Sequence, residues 1–139
     1  MANRYWKDEV MTLEKEIRQI HGIIVFGAAG AITTQDLKGF TVAKTATETG
    51  RYTITMGSTS NPDTYYEFKN LQAIVQGPTD AALTATDGYI PVLRNVDVSS
   101  DGFQTVDLQL TDYAGADKNA TSGNKLYVTI TVKNSSVDF

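Results

Sequence analysis

Few side chains in this 139-residue sequence could perform catalysis, and their spacing assembles no familiar active site. His21 is the single histidine and therefore the first candidate for a general base. No cysteine and no second histidine accompany it. The two carboxylates of a glycoside hydrolase need only meet in space, and nothing in the sequence marks such a pair. We therefore predict no catalytic residues and no enzymatic activity.

Two further segments have a composition that occurs in ligand sites. The glycine- and alanine-rich residues 27–31 follow a strand-like run and could cradle a phosphate, but they lack both the Lys-Ser/Thr of a P-loop and the GxGxxG spacing. We predict a tight turn or a subunit contact there. A group of aspartates matches no EF-hand spacing and is better explained by turns, so we predict no metal and no cofactor. These aspartates are Asp97, Asp101, Asp107, Asp112 and Asp117.

Composition narrows the possible partners. The absence of cysteine removes disulfides, thiolate catalysis and thiolate metal sites together. A formal net charge of −4 argues against a protein that binds nucleic acid, because such domains are usually basic. No apolar run approaches the roughly 20 residues that a transmembrane helix needs, and the charged N-terminus does not resemble a signal peptide. We expect neither nucleic acid nor membrane as a partner.

The N-terminal part of the chain has a helical pattern of apolar residues. Alternating steps of four and three residues predict an amphipathic helix over residues 4–21 that ends at Gly22. A helix of this length is only marginally stable alone in water, so its apolar stripe needs a partner. We call this stripe the seam and predict that it is the assembly interface. The seam consists of Trp6, Val10, Leu13, Ile17, Ile20 and Ile24.

Two modes of burial are open to the seam. The helix could dock on a β surface, either its own or that of a neighbouring subunit. It could instead form a parallel homo-oligomeric coiled coil, but that arrangement would place Glu9 opposite Glu14 of the neighbouring helix. Because like charges disfavour the coiled coil, we favour docking on a β surface.

The remainder of the sequence alternates apolar and polar residues with a period of two. Residues 40–42 and 52–56 predict a hairpin, and Pro91 suits an edge strand or a bulge. Three late segments within residues 96–132 predict the last three strands of one antiparallel sheet. We expect a mainly β protein, an antiparallel β-sandwich or small barrel of about seven or eight strands. The predicted organisation is a helical arm over residues 1–22 and a β domain over residues 23–139.

A series of motifs runs along nearly the whole chain. An amphipathic N-terminal helix leads into a short apolar strand and a small-residue turn. A Gly-x-Tyr-x-Ile strand and a closing VTITVKNSSV segment follow. The residues of these motifs are Gly27, Ala28, Gly30 and Ala31, then Gly50, Tyr52 and Ile54, then residues 128–137. In this order the motifs resemble small virion structural proteins of tailed bacteriophages.

The resemblance implies a structural role on the virion. Its first implication is a capsid decoration, or cement, protein that lies on the capsid surface and stabilises the lattice of the major capsid protein. Such proteins are often trimers, so a homo-oligomer with a trimer favoured is the expected assembly. The alternative is a head- or tail-associated fibre or spike module that binds a host receptor or glycan, with Tyr65 and Tyr66 as its contact residues. None of these proteins is similar to an enzyme.

Overall fold

Eight β-strands and one short 3₁₀ turn account for the regular structure in the part of the chain that can be described. The computed structural model describes residues 17–57, 64–65, 67–77, 87–99 and 102–133. The turn is Ala28–Gly30. The strands are β1 (Ile17–Phe26), β2 (Ile32–Leu37), β3 (Phe40–Lys44), β4 (Arg51–Met56), β5 (Glu67–Gln76), β6 (Ile90–Ser99), β7 (Gly102–Thr111) and β8 (Lys125–Lys133).

The strands form two antiparallel sheets of four strands each. Sheet I has the order β2-β1-β8-β5, and sheet II has the order β3-β4-β7-β6. The chain passes from sheet I to sheet II between β2 and β3 and again between β5 and β6. The prediction of a mainly β protein with about eight strands is therefore confirmed.

One hydrophobic core contains residues from both sheets. In β4 the even-numbered Tyr52, Ile54 and Met56 are completely buried, as the alternation of a half-buried strand requires. β8 contributes its own even-numbered positions from Leu126 to Val132 in the same way. The rings of Phe26 in sheet I and Tyr52 in sheet II lie 5.3 Å apart, so the two sheets contact each other through this core.

The predicted helix is wrong for residues 17–21, because β1 already begins at Ile17. The four-residue step from Ile20 to Ile24 suits one face of a helix, but four is also an even number, so both side chains point to the same face of a strand. Ile24 is completely buried and Ile20 packs against the core. Nine residues of β1 pair with β8, which extends the strand well before Gly22. The predicted boundary between a helical arm and the β domain, placed after Gly22, thus falls inside β1.

Gly22 lies within a strand and does not end a helix. A Cβ atom built at this position would come within 2.3 Å of Leu37 Cδ2 and 2.7 Å of Phe40 Cζ. The missing side chain therefore makes room for two apolar side chains at the point where the chain crosses from sheet I to sheet II.

Pairing in the rest of the domain agrees with the sequence except at β8. β3 and β4 form the predicted hairpin, and Pro91 lies in the edge strand β6 beside a register shift between Leu93 and Asn95. β6 pairs with β7 as expected, but β8 pairs with β1 and β5 in sheet I. The long segment between β7 and β8 carries the chain to the other sheet, so the three late strands do not form one sheet.

Residues 27–31 form a tight turn, which is one of the two roles that we predicted for them. Ala29 has φ 54° and Gly30 has φ 74°, so two successive residues adopt left-handed conformations. The Tyr52 hydroxyl donates a hydrogen bond of 2.8 Å to the carbonyl oxygen of Gly30. This turn is thereby attached to the buried centre of sheet II.

Replacing Gly22 with alanine should destabilise the domain. The new methyl group would press on Leu37 and Phe40, and overpacking of this kind typically costs about 1–3 kcal/mol. The free energy of unfolding from urea titration checks this expectation. Gly77→Ala is the matched control, because a Cβ atom there meets no atom of the described residues within 4 Å. Equal stability of the two variants would contradict the tight packing at Gly22.

Replacing Tyr52 with phenylalanine should also lower stability near neutral pH. The variant would leave the buried Gly30 carbonyl without its donor, which costs about 1–3 kcal/mol. Urea unfolding at pH 8 measures the loss. Tyr113→Phe serves as control, because Tyr113 is 52% exposed, and should leave the free energy of unfolding unchanged.

The difference in stability between wild type and Tyr52→Phe should depend on pH. Burial raises the pKa of Tyr52 from 10.0 to about 12. Because the folded state holds this proton more tightly, its contribution is complete below pH 10 and is lost as the pH rises through 12. A shift of this size corresponds to about 3 kcal/mol in total. We expect the stability advantage of wild type over Tyr52→Phe to shrink between pH 10 and pH 12 in unfolding titrations. A constant difference over that range would contradict this.

Candidate assembly surface

The structure describes half of the predicted seam. Trp6, Val10 and Leu13 lie outside the described residues. Ile17, Ile20 and Ile24 all lie in β1, where Ile17 is half-buried, Ile20 packs against the core and Ile24 is fully buried. Ile24 thus contributes to the domain's own core. The three-residue step from Ile17 to Ile20 is odd, which places these two side chains on opposite faces of the strand.

Two of the side chains considered for chemistry make contacts within the domain, and Asp101 lies outside the described residues. His21 lies on the outer face of sheet I, with its Nδ1 atom 3.0 Å from the Thr129 hydroxyl oxygen. Asp112 accepts hydrogen bonds from the backbone N–H groups of Ala114 and Ala116 and so forms a turn. Among the residues that the structure describes, no group of three or more acidic or histidine side chains could hold a metal ion.

Tyr65 was the proposed contact residue of a receptor- or glycan-binding module. The structure places it in the core, with only 8% of its surface exposed. Tyr66 lies outside the described residues. Tyr65 therefore does not provide an exposed aromatic surface for a sugar or receptor.

An apolar row crosses the outer face of sheet I. Tyr127 in β8 is flanked by Ile23 of β1 on one side and Ile74 of β5 on the other. Their exposures are 37% for Tyr127, 38% for Ile23 and 69% for Ile74. Because neighbouring strands lie about 4.8 Å apart, the three side chains form a continuous stripe. We call these three residues the apolar row.

Polar residues border the apolar row on both sides. On one side, the Tyr127 hydroxyl donates a hydrogen bond of 2.9 Å to Gln76 Oε1. On the other side, His21 and Thr129 stand next to each other across β1 and β8. A groove of about 350 Å³ opens between this border and the β2 edge, and Asp36 and Lys38 are part of its lining. The row is thus a narrow apolar stripe with a polar rim.

A second groove opens along the side of the domain between β5 and β6. It has a volume of about 450 Å³ and reaches inward-facing residues near the core. Leu93 remains 43% exposed there, although its partner Leu108 in β7 is completely buried. Ile74 belongs both to this groove and to the apolar row. We call it the side groove, lined by Leu71, Gln72, Ala73, Ile74, Pro91 and Leu93.

The outer face of sheet II is polar. Thr41, Thr55 and Thr105 stand side by side across β3, β4 and β7. Arg51 donates hydrogen bonds of 2.8 Å to Asp107 and 2.7 Å to Glu48.

The contact with Asp107 makes the largest contribution to raising the pKa of Arg51, so the guanidinium stays charged. On this outer face the exposed apolar residues, Ile90 and Val92, lie at the edge in β6. Sheet I therefore presents the outer face better suited to protein contact.

Sequence reasoning missed the apolar row, although each strand contains a signal for it. In β8 the even-numbered side chains face the core and the odd-numbered ones face outward, where Tyr127 is the one residue with a large apolar ring. In β5 the inward residues are odd, so Ile74 is the exception at an even position. Only the register between the strands places these exceptions side by side with Ile23.

Comparisons with known proteins do not add to this picture. Searches against protein families, curated proteins and solved structures found no match for the chain. Within the described residues, no helix combines the length and apolar character needed to cross a membrane.

Proposed function

We propose that this protein is a non-enzymatic virion structural protein, a capsid decoration or cement protein that binds and stabilises the lattice of the major capsid protein. In this proposal the two sheets pack as a β-sandwich, and the N-terminal arm and the outer face of sheet I make the assembly contacts. The motifs that resemble small structural proteins of tailed bacteriophages suggested this role. The apolar row is the structural observation that supports it.

The apolar row has the anatomy of a protein contact. Its three side chains lie on a rigid sheet, where register fixes their positions, and a polar rim surrounds them. Tyr127 is suited to such a site, because its ring supplies apolar area while its hydroxyl keeps a hydrogen bond to Gln76. Burying a wholly exposed isoleucine or aromatic side chain contributes about 1.5–3 kcal/mol. Ile23 and Tyr127 are already more than half buried, so covering the rest of each would contribute roughly a third of that, about 0.5–1 kcal/mol.

A modest contact of this kind suits a protein that is added in many copies to a preformed shell. A ligand that binds the assembled lattice and not the dissociated subunits stabilises the lattice by mass action. Repetition of the contact over the shell multiplies the effect without requiring a large interface at each site.

Removing the apolar row should weaken attachment to the shell. We expect Ile23→Thr/Tyr127→Thr to reduce affinity for capsids purified without this protein by about 5- to 30-fold, because roughly 1–2 kcal/mol of apolar burial is lost at the two positions together. Threonine retains β propensity, so the strands should persist. Bound copies per capsid and the temperature at which capsids release DNA are the measurements.

The control variant is Ile90→Thr/Tyr113→Thr, which removes an isoleucine that is 40% exposed and a tyrosine that is 52% exposed outside sheet I. It should bind as wild type does. Equal binding by both double variants would reject the apolar row as the contact. Absence of the protein from purified virions would reject the function itself.

A further inference from the structure

The four edge strands differ in how they are protected against pairing with another chain. β2 has six residues and carries Asp36, and β3 has only five residues and ends at Lys44. β6 contains Pro91, two register shifts and two charged residues, Arg94 and Asp97. Short length, proline, bulges and charge all discourage edge-to-edge pairing.

β5 lacks this protection over most of its length. It has ten residues, and its one register shift lies at the beginning, between Phe68 and Asn70. Its two charged residues, Glu67 and Lys69, are also at the beginning and pair with each other at 3.1 Å. Residues 70–77 carry no charge and no proline. Only β8 pairs with β5 among the described strands, so no strand that the structure describes pairs with its other edge.

We propose that β5 is a homodimerisation edge, where two copies of this chain pair their β5 strands antiparallel about a two-fold axis that passes through Ile74. The occupant is a second copy because this segment is complementary to itself. An isologous interface needs a patch that matches its own rotated image, and residues 71–77 are centred on Ile74. This inference concerns the free protein and does not depend on the proposed capsid role.

The axis through Ile74 gives each position a compatible partner. Ile74 faces its own copy on the outer surface, and Gln72 faces Gln76 of the second copy on both sides of the axis. All three side chains are exposed in the single chain. Glu67 and Lys69 fall beyond the paired residues. Two acidic chains can thus approach each other along a segment without charge.

The same pairing covers both apolar features of the surface. The apolar row of each copy ends at Ile74, so the two rows join into one stripe that crosses six strands. The inward-facing Leu71, Ala73 and Val75 of the second copy continue the inner side of sheet I. They would therefore extend over the side groove, where Leu93 is 43% exposed.

A pair of charge variants tests the register directly. Gln72→Lys/Gln76→Lys places lysines opposite each other at both ends of the interface, whereas Gln72→Lys/Gln76→Glu places lysine opposite glutamate. Within one chain the two positions lie about 13 Å apart along the strand. Gln72→Lys/Gln76→Lys makes the net charge of the acidic chain less negative, which by itself would reduce repulsion between two copies. Any loss of dimer in this variant would therefore reflect repulsion between the facing lysines.

Sedimentation velocity at about 100 μM protein provides the measurement, since a Kd near 10 μM would leave most chains dimeric there. We expect wild type and the lysine–glutamate variant to sediment as dimers, and the lysine–lysine variant to dissociate at least about tenfold more readily. Adding salt should weaken the lysine–glutamate dimer. A monomeric or trimeric wild type, or identical behaviour of the two variants, would overturn the proposal.

Cross-linking gives a second test that does not depend on charge. The natural chain has no cysteine, so a single introduced cysteine can form disulfides only between molecules. With oxidised glutathione as oxidant, Ile74→Cys should give a covalent dimer much faster than Ile90→Cys on the edge strand β6. Equal rates for the two variants would overturn the proposal. Capsid binding is measured in its own assay, so the two proposals can fail separately.

Discussion

The pairing of β1 with β8 is the constraint on which the rest of the structure depends. Nine residues near the start of the described chain pair with nine residues near its end, from Ile17 opposite Lys133 to Val25 opposite Lys125. These are the two central strands of sheet I, so β2 and β5 take their positions from them. A slip of one residue would exchange the buried and exposed faces of the slipped strand. The register is therefore held by the core itself.

That register also produces the difference between the two outer faces. Once Leu126, Val128 and Ile130 face the core, Tyr127 must face outward, and its strand neighbours bring Ile23 and Ile74 beside it. Sheet II follows the same alternation but has threonine, arginine and aspartate at the corresponding outward positions of its inner strands. One domain thus has a polar outer face and an outer face with an apolar row, and the proposed docking through one side rests on this asymmetry.

Protection of the sheet edges follows a similar asymmetry. β2, β3 and β6 are limited by length, charge, proline or bulges, whereas most of β5 has none of these features. The apolar row and the side groove both reach β5 through Ile74, which is 69% exposed. The surfaces that would face a lattice and those that would face another copy therefore meet at one strand.

The sequence by itself determined the mainly β character of the domain, the β3–β4 hairpin, the edge position of Pro91 and the turn at residues 27–31. Each depends on local alternation or on the backbone preferences of a few neighbouring residues. Tertiary structure decided the secondary structure of residues 17–21. The four-residue spacing of Ile20 and Ile24 is compatible with one face of either a helix or a strand, and pairing with β8 selected the strand. It also decided the sheet to which β8 belongs and the alignment of Ile23, Tyr127 and Ile74. These features depend on register between segments that can lie more than a hundred residues apart in the sequence, which local periodicity does not encode.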